Sequence, residues 1–220
     1  MLRLAGKSLA PALVAAGATI ALLVGCGGSG GAAPSGQTAI SADQSTSGAK
    51  FAGIAAVPSK PAPPLALKDS LGRPINLDQY RGKAVFITFI YDHCPDTCPL
   101  IVGNLHTALA RLGPAAKKVQ LVAVSVDPRG DTPRTVRAFL QAHGMTGRIE
   151  YLLGSRPQLE NVWRAWNIVS KSGPAKAGPA AVEHSALIYG ISASGKITTL
   201  YPSNFRPGQI VHDVPILASE

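Results

Sequence analysis

The strongest constraint in this sequence is an unbroken apolar run, Ala84-Val85-Phe86-Ile87-Thr88-Phe89-Ile90-Tyr91, with cysteines directly behind it. A half-solvated strand alternates apolar and polar residues, so a continuous β-branched and aromatic run reads as a strand buried on both faces. Such a strand belongs at the centre of a sheet. Behind it comes Asp92-His93-Cys94-Pro95-Asp96-Thr97-Cys98-Pro99, after which Leu100, Ile101, Leu105, Leu109 and Leu112 recur at helical spacing up to Gly113-Pro114. The cysteines therefore lie where a central strand hands over to a helix.

The remaining punctuation supports the same architecture. Pro58, Pro61, Pro63 and Pro64 read as an extended lead-in, because proline removes donors and biases its predecessor away from helix. Leu65-Ala66-Leu67, a turn at Asp69 to Gly72 and Pro74 to Leu77 predict a small hairpin before the core. Val119 to Val126 reads as a second buried strand. Asp131-Thr132-Pro133 supplies a capping side chain and a proline at the first helical position, which predicts a helix to His143. Ile149 to Leu153 is a third strand candidate, and Leu159, Val162, Trp163 and Trp166 give an apolar stripe to a helix over 156–166. Lys171 to Ala181, rich in Gly and Pro, reads as a loop. Ser185 to Ser192 and Lys196 to Tyr201 predict strands joined by a turn at 193–195, and a helix near Pro207 to Leu217 closes the chain. The pattern is α/β, a mixed sheet covered on both faces, with no internal repeat and no second domain in the folded part.

That folded part begins near Phe51, and the segment before it is different in kind. Residues 1–25 carry Arg3 and Lys7, a short apolar run from Leu9 to Val24 and a small-residue end, the order of a secretory signal rather than of a spanning helix. Leu23-Val24-Gly25-Cys26 resembles the lipobox of bacterial lipoproteins, which implies lipidation of Cys26 and a mature N-terminus there. An ordinary cleaved signal and an uncleaved anchor are the alternatives. Two or more acyl chains hold stably where one holds only marginally, so the domain is expected on the outer face of the cytoplasmic membrane. Residues 26–50, Gly/Ser/Ala-rich, read as a flexible tether. The mature chain would keep 19 Lys and Arg against 12 Asp and Glu. Export argues against nucleic acid as the partner of this basic surface, and no arginine-rich run with interleaved aromatics is present. Anionic headgroups fit better.

Cys94 and Cys98 are four positions apart, the spacing that puts two side chains on one helix face. A helix N-terminus favours thiolate over thiol, and thiolates are nucleophiles and soft metal ligands. Reversible disulfide formation and binding of a thiophilic metal both follow, and a stabilising disulfide remains the plainer alternative. A bridge across so few residues removes little unfolded-state entropy, however. A metal needs a further ligand. Among His93, His106, His143, His184 and His212, His184 stands out because it follows the Gly/Pro-rich loop at a sheet end. Spacing alone does not select it. Asp92, Asp96, Asp127 and Asp131 lie near the motif as supporting or docking groups, with strand-end and N-cap roles already explaining Asp127 and Asp131.

The stretch from Phe89 to Pro99, with its Cys-Pro-x-x-Cys-Pro core, resembles the copper motif of the Sco/SenC family. Ser125-Val126-Asp127-Pro128-Arg129-Gly130-Asp131-Thr132-Pro133 resembles that family's Ser-x-Asp-Pro-x-x-Asp-Thr-Pro segment, and Glu183-His184-Ser185 falls where the family has its histidine ligand. The resemblance covers residues 51 to 217. It implies a thioredoxin-like fold and copper held by Cys94, Cys98 and His184 as Cu(I), with Cu(II) left open. It further implies a role in assembling the copper centre of cytochrome c oxidase, with the oxidase's copper-bearing subunit and a copper-donor protein as partners. The family usually has aspartate where Glu183 stands, and His93 is not a residue of its motif. Two thiolates and one imidazole form a soft set for Cu(I), whereas closed four-ligand zinc sites lack their third and fourth cysteines here. The other reading is a membrane-anchored thiol–disulfide oxidoreductase that reduces the oxidase's cysteines. Three residues between the cysteines, rather than two, tilt against general disulfide exchange. A peroxidase would need Pro-x-x-x-Thr-x-x-Cys, which is absent.

Overall fold

The computed structural model describes residues 49–172 and 182–220. Cys26, the signal segment and most of the tether lie outside the described residues. Ten strands and four α-helices are present among them: β1 (Ile54–Pro61), β2 (Ala66–Asp69), β3 (Pro74–Asn76), β4 (Ala84–Ile90), α1 (Thr97–Leu112), β5 (Val119–Ser125), α2 (Pro133–Ala142), β6 (Glu150–Leu153), α3 (Arg156–Ala165), β7 (Ser170–Ser172), β8 (Val182–His184), β9 (Leu187–Ile191), β10 (Lys196–Pro202) and α4 (Pro207–Leu217). Eight strands form one mixed sheet in the order β1-β10-β9-β4-β5-β6-β2-β3, and β7 and β8 form a separate ribbon.

Strand β4 is central, as its composition requires. All seven residues are buried, with β5 parallel on one edge and β9 antiparallel on the other. Its alternate side chains serve opposite layers. Phe86 meets the ring of Tyr201, whose hydroxyl donates to Asp213 of α4, while Phe89 meets Trp166 at the end of α3. Helices thus cover both faces. Ile101, Val102, Leu105 and Ala108 form the buried stripe of α1. The tight packing at the sheet is plain at Gly190, where an added Cβ would lie 2.1 Å from Thr199 Oγ1.

The structure departs from the sequence expectations in five places. The proline-rich lead-in is strand β1, paired antiparallel with β10 around a bulge. Cys94 is not on the helix: Asp96 caps α1, which starts at Thr97, so Cys94 lies in the turn before it and only Cys98 is helical. The cap of α2 is Thr132, in a reciprocal capping box with Thr135, and Asp131 is released for another role. The expected loop from Lys171 is shorter at its start, because Ser170 to Ser172 pair with Val182 to His184; residues 173–181 lie outside the described residues. His184 therefore ends a short strand rather than opening a long one, and the sheet strand after it begins at Leu187.

Candidate metal and redox site

The site is assembled at the carboxyl ends of β4 and β5, the place where parallel strands leave a crevice for chemistry. From β4 the chain passes through Tyr91, Asp92 and His93 into a turn in which the Cys94 amide donates to Tyr91 carbonyl oxygen at 3.4 Å. The turn then enters α1. Cys98, in the first turn of that helix, donates its backbone N–H to Cys94 Sγ at 3.2 Å. The two sulfurs meet because a helix N-terminus closes around the preceding turn, not because they share a helical face.

His184 arrives from the far end of the chain by a traceable route. The ribbon strand β7 leaves α3, and Ser170 Oγ donates to the Val126 carbonyl just beyond β5 at 3.1 Å. Ser170 is the register partner of His184. That pairing carries the imidazole to the cysteine turn, where Nε2 lies 3.9 Å from Cys98 Sγ. The other ring nitrogen, Nδ1, lies 3.1 Å from Ser185 carbonyl oxygen. A carbonyl can only accept, so Nδ1 carries a proton, and Nε2 is the ring atom that faces the sulfurs. The ring is further steadied by Tyr91, edge to face at 5.7 Å between centroids.

The electrostatics of the two thiols are opposed. Cys94 is held well below the ordinary thiol range by the hydrogen bond from Cys98, with His184 and the amides of Cys98 and Asp96 adding to it against the effect of burial. Cys98 is pushed up, since it serves as the donor to a neighbouring thiolate and is itself fully buried. The pair is thus one thiolate and one thiol, both free. Burial, then the charge at Cys94, push the Tyr91 phenol up to about 12. Two sulfurs and an imidazole lone pair constitute a soft donor set for a thiophilic cation, and equally a nucleophile with a resolving partner.

Other residues singled out in the sequence fall elsewhere. His143 bonds the Phe139 carbonyl and His212 pairs with Asp213. His93 is exposed, with Nδ1 against the Asp92 carboxylate. Asp127 accepts from Arg129 N–H in a local turn. Asp131 is buried, and its carboxylate accepts from Ser125 Oγ at 2.6 Å, Tyr151 hydroxyl at 2.8 Å and Asp92 N–H at 3.0 Å. Burial, with the Asp92 charge adding, raises its carboxyl to about 7. The supporting parts that sequence reasoning missed are Tyr91, the Ser185 carbonyl and the Asp131–Tyr151 contact. Only Tyr91 carried a signal, as the last aromatic of the central run.

Comparison with known proteins bears on the fold and the family. The SCO1/SenC profile matches residues 57–219. The mitochondrial SCO2 homolog of Bos taurus is 30% identical over 152 residues, covering 68% of this chain and 56% of the bovine protein. The chain thus spans little more than half the length of that relative. Among solved structures, Bradyrhizobium japonicum ScoI with copper bound is 28% identical, with a TM-score of 0.64 over 72% of this chain and 99% of that one. Apo Sco1 from Thermus thermophilus is 26% identical, with a TM-score of 0.67 over 76% and 96% of the respective chains. The shared architecture is the thioredoxin-like fold. Fold, sequence profile and relatives converge, and the chain belongs to the SCO1/SenC family.

Proposed function

We propose that this chain is a copper chaperone that holds Cu(I) between Cys94, Cys98 and His184 and delivers it to the copper-bearing subunit of cytochrome c oxidase. The observation that carries the reading is the 3.9 Å approach of His184 Nε2 to Cys98 Sγ, with Nδ1 already committed to a backbone carbonyl. For a d10 ion, bonds of about 2.3 Å to sulfur and about 2.0–2.1 Å to nitrogen, opened to about 120°, span about 3.8 Å between the donors. The 3.9 Å spacing of these two donors matches that span. A ligand histidine also ordinarily donates its second ring N–H to a carbonyl or carboxylate, which fixes the tautomer. Copper bound to the Bradyrhizobium relative supports the choice of metal.

Copper is cargo in this reading. Three ligands leave a position open, through which a receiving protein can add its own ligand and displace one of these. A copper-donor protein loads the site, and a lipid on Cys26 holds the domain at the outer face of the cytoplasmic membrane, within reach of the oxidase. The test is anaerobic competition with a Cu(I) chelator: His184→Ala should weaken binding while reduction of the Cys94–Cys98 disulfide proceeds unchanged. An unaltered affinity would remove His184 from the ligand set.

A second reading is favoured by one observation, the thiolate of Cys94 beside the thiol of Cys98. In it, Cys94 attacks a disulfide of the oxidase's copper-site cysteines and Cys98 then displaces it. The oxidase is left with two thiols, and two electrons pass from this chain as its own disulfide forms. This chemistry needs no imidazole ligand. His184→Ala therefore separates the two readings.

A further inference from the structure

We propose that Asp92, His93 and Asp131 form a second cation site, built from oxygen and imidazole donors, that takes a divalent first-row metal ion such as Cu(II) or Zn(II). One ligand atom from each of the three lies within 4.8 Å of the others. The independent observation is the state of Asp92. Its side chain is only 2% exposed, and neither carboxylate oxygen has a hydrogen bond. The contact it does have is His93 Nδ1, which stands against one of those oxygens. The second oxygen, Oδ2, is buried with no partner among the described residues, which is costly for a carboxylate, and positive charge is what relieves it.

Asp131 can supply the second oxygen. A carboxylate offers about four lone-pair positions, and the donors from Ser125, Tyr151 and Asp92 N–H occupy three. One remains. His93 completes the set from the solvent side, since its side chain is 41% exposed, so an ion reaches the site without unfolding the domain. Water fills the remaining positions. Two carboxylates and an imidazole are hard and borderline donors, suited to divalent ions and ill suited to Cu(I), and among first-row ions Cu(II) binds such sets most tightly. The turn from β4 to α1 thus offers an oxygen-and-nitrogen set ending at His93 and a sulfur set beginning at Cys94, each matched to a different oxidation state of the same metal. None of the three residues belongs to the Cu(I) set proposed above, so either site can fail alone.

The experiment uses the full chain with Cys26, Cys94 and Cys98 all replaced by serine, which removes every thiol. It is titrated with Cu(II) and, separately, with Zn(II), and the Cu(II) form is read by electron paramagnetic resonance. The expected result is one bound ion with the hyperfine pattern of a single imidazole nitrogen. His93→Ala and Asp92→Asn in that background should each lower affinity at least about tenfold, with His143→Ala neutral. If Asp92→Asn does not fold, the exposed His93→Ala decides. No bound ion would overturn the proposal, as would loss of binding on His184→Ala but not on His93→Ala. Cu(I) competition on the thiol-containing chain is a separate measurement and tests the other site.

Discussion

Replacing Asp131 by alanine should destabilise the domain far more than the loss of a helix cap. The carboxylate takes hydroxyl donors from Ser125, at the end of β5, and from Tyr151 in β6, both wholly enclosed, and the amide of Asp92 at the mouth of the site. Alanine leaves the Ser125 hydroxyl and the Asp92 amide without this acceptor, and the Tyr151 hydroxyl with only the Ile90 carbonyl, at 3.3 Å. The Asp92 amide is only partly buried and water can reach it, but an enclosed hydroxyl left unpaired costs about 1–3 kcal/mol. With the Ser125 hydroxyl unpaired and the Tyr151 hydroxyl left on one long bond, the loss is about 2–4 kcal/mol, a large share of the roughly 5–15 kcal/mol that holds a domain. Tyr151→Phe removes one donor and leaves Asp131 two others, so it should cost about 1 kcal/mol. In the Asp131→Ala background the same change should cost clearly less than in the parent, because the hydroxyl has already lost its shorter bond and keeps only the 3.3 Å contact to the Ile90 carbonyl. Urea denaturation of the apo, reduced chain, with and without each change, gives the cycle. A helix-cap role predicts a loss of about 1 kcal/mol with no coupling to Tyr151. An Asp131→Ala cost at that level, or strict additivity with Tyr151→Phe, would refute the network reading.

Two further outcomes follow from the packing and electrostatics. The Cys94 thiol is lowered from 9.0 to about 4, chiefly by the hydrogen bond from Cys98, so its contribution to stability is complete above the unfolded value and lost as pH falls through the folded one. The stability gap between the reduced apo chain and its Cys94→Ser variant, measured by urea denaturation, should therefore grow from about pH 5 to about pH 8; a constant gap would show that no thiolate is held. Gly190→Ala should cost about 1–3 kcal/mol by forcing Thr199 and Tyr201 aside, since its Cβ would lie 2.1 Å from Thr199 Oγ1 and 3.2 Å from the Tyr201 ring. A neutral variant in the same assay would mean that β9 and β10 are not packed as described.

Much of the fold was legible because the informative segments are buried on both sides. The run Ala84 to Ile90 carries no polar alternation, and only a central strand satisfies that. Helix α2 was readable from local punctuation, since Thr132-Pro133 marks its start and the cap partner Thr135 lies within one turn, and α3 from its apolar stripe, of which Leu159, Val162 and Trp163 are buried. Segments whose partners are distant were not. Strand β1 is largely exposed and meets β10 in two short stretches around a bulge, so it carries proline and lysine rather than a pattern. Ser170 to Ser172 is polar, and its strand character comes from Val182 to His184. At the site, helical periodicity placed Cys94 on α1, whereas Asp96 as cap is the local feature that excludes it. Asp131 looked like a cap because it precedes Thr132-Pro133. Its actual partner, Tyr151, is brought near only by the pairing of β5 with β6. The convergence of His184 with the cysteines was reachable through family resemblance, not through spacing, because it depends on the Ser170 bond to Val126.

The most direct measurement on the metal site is copper X-ray absorption of the full chain loaded anaerobically with Cu(I), beside its His184→Ala variant. Two sulfur scatterers and one imidazole nitrogen in the parent, with the nitrogen lost in the variant, is the result expected if Cys94, Cys98 and His184 share one ion. Identical spectra from the two proteins, or a sulfur-only shell in the parent, would contradict it.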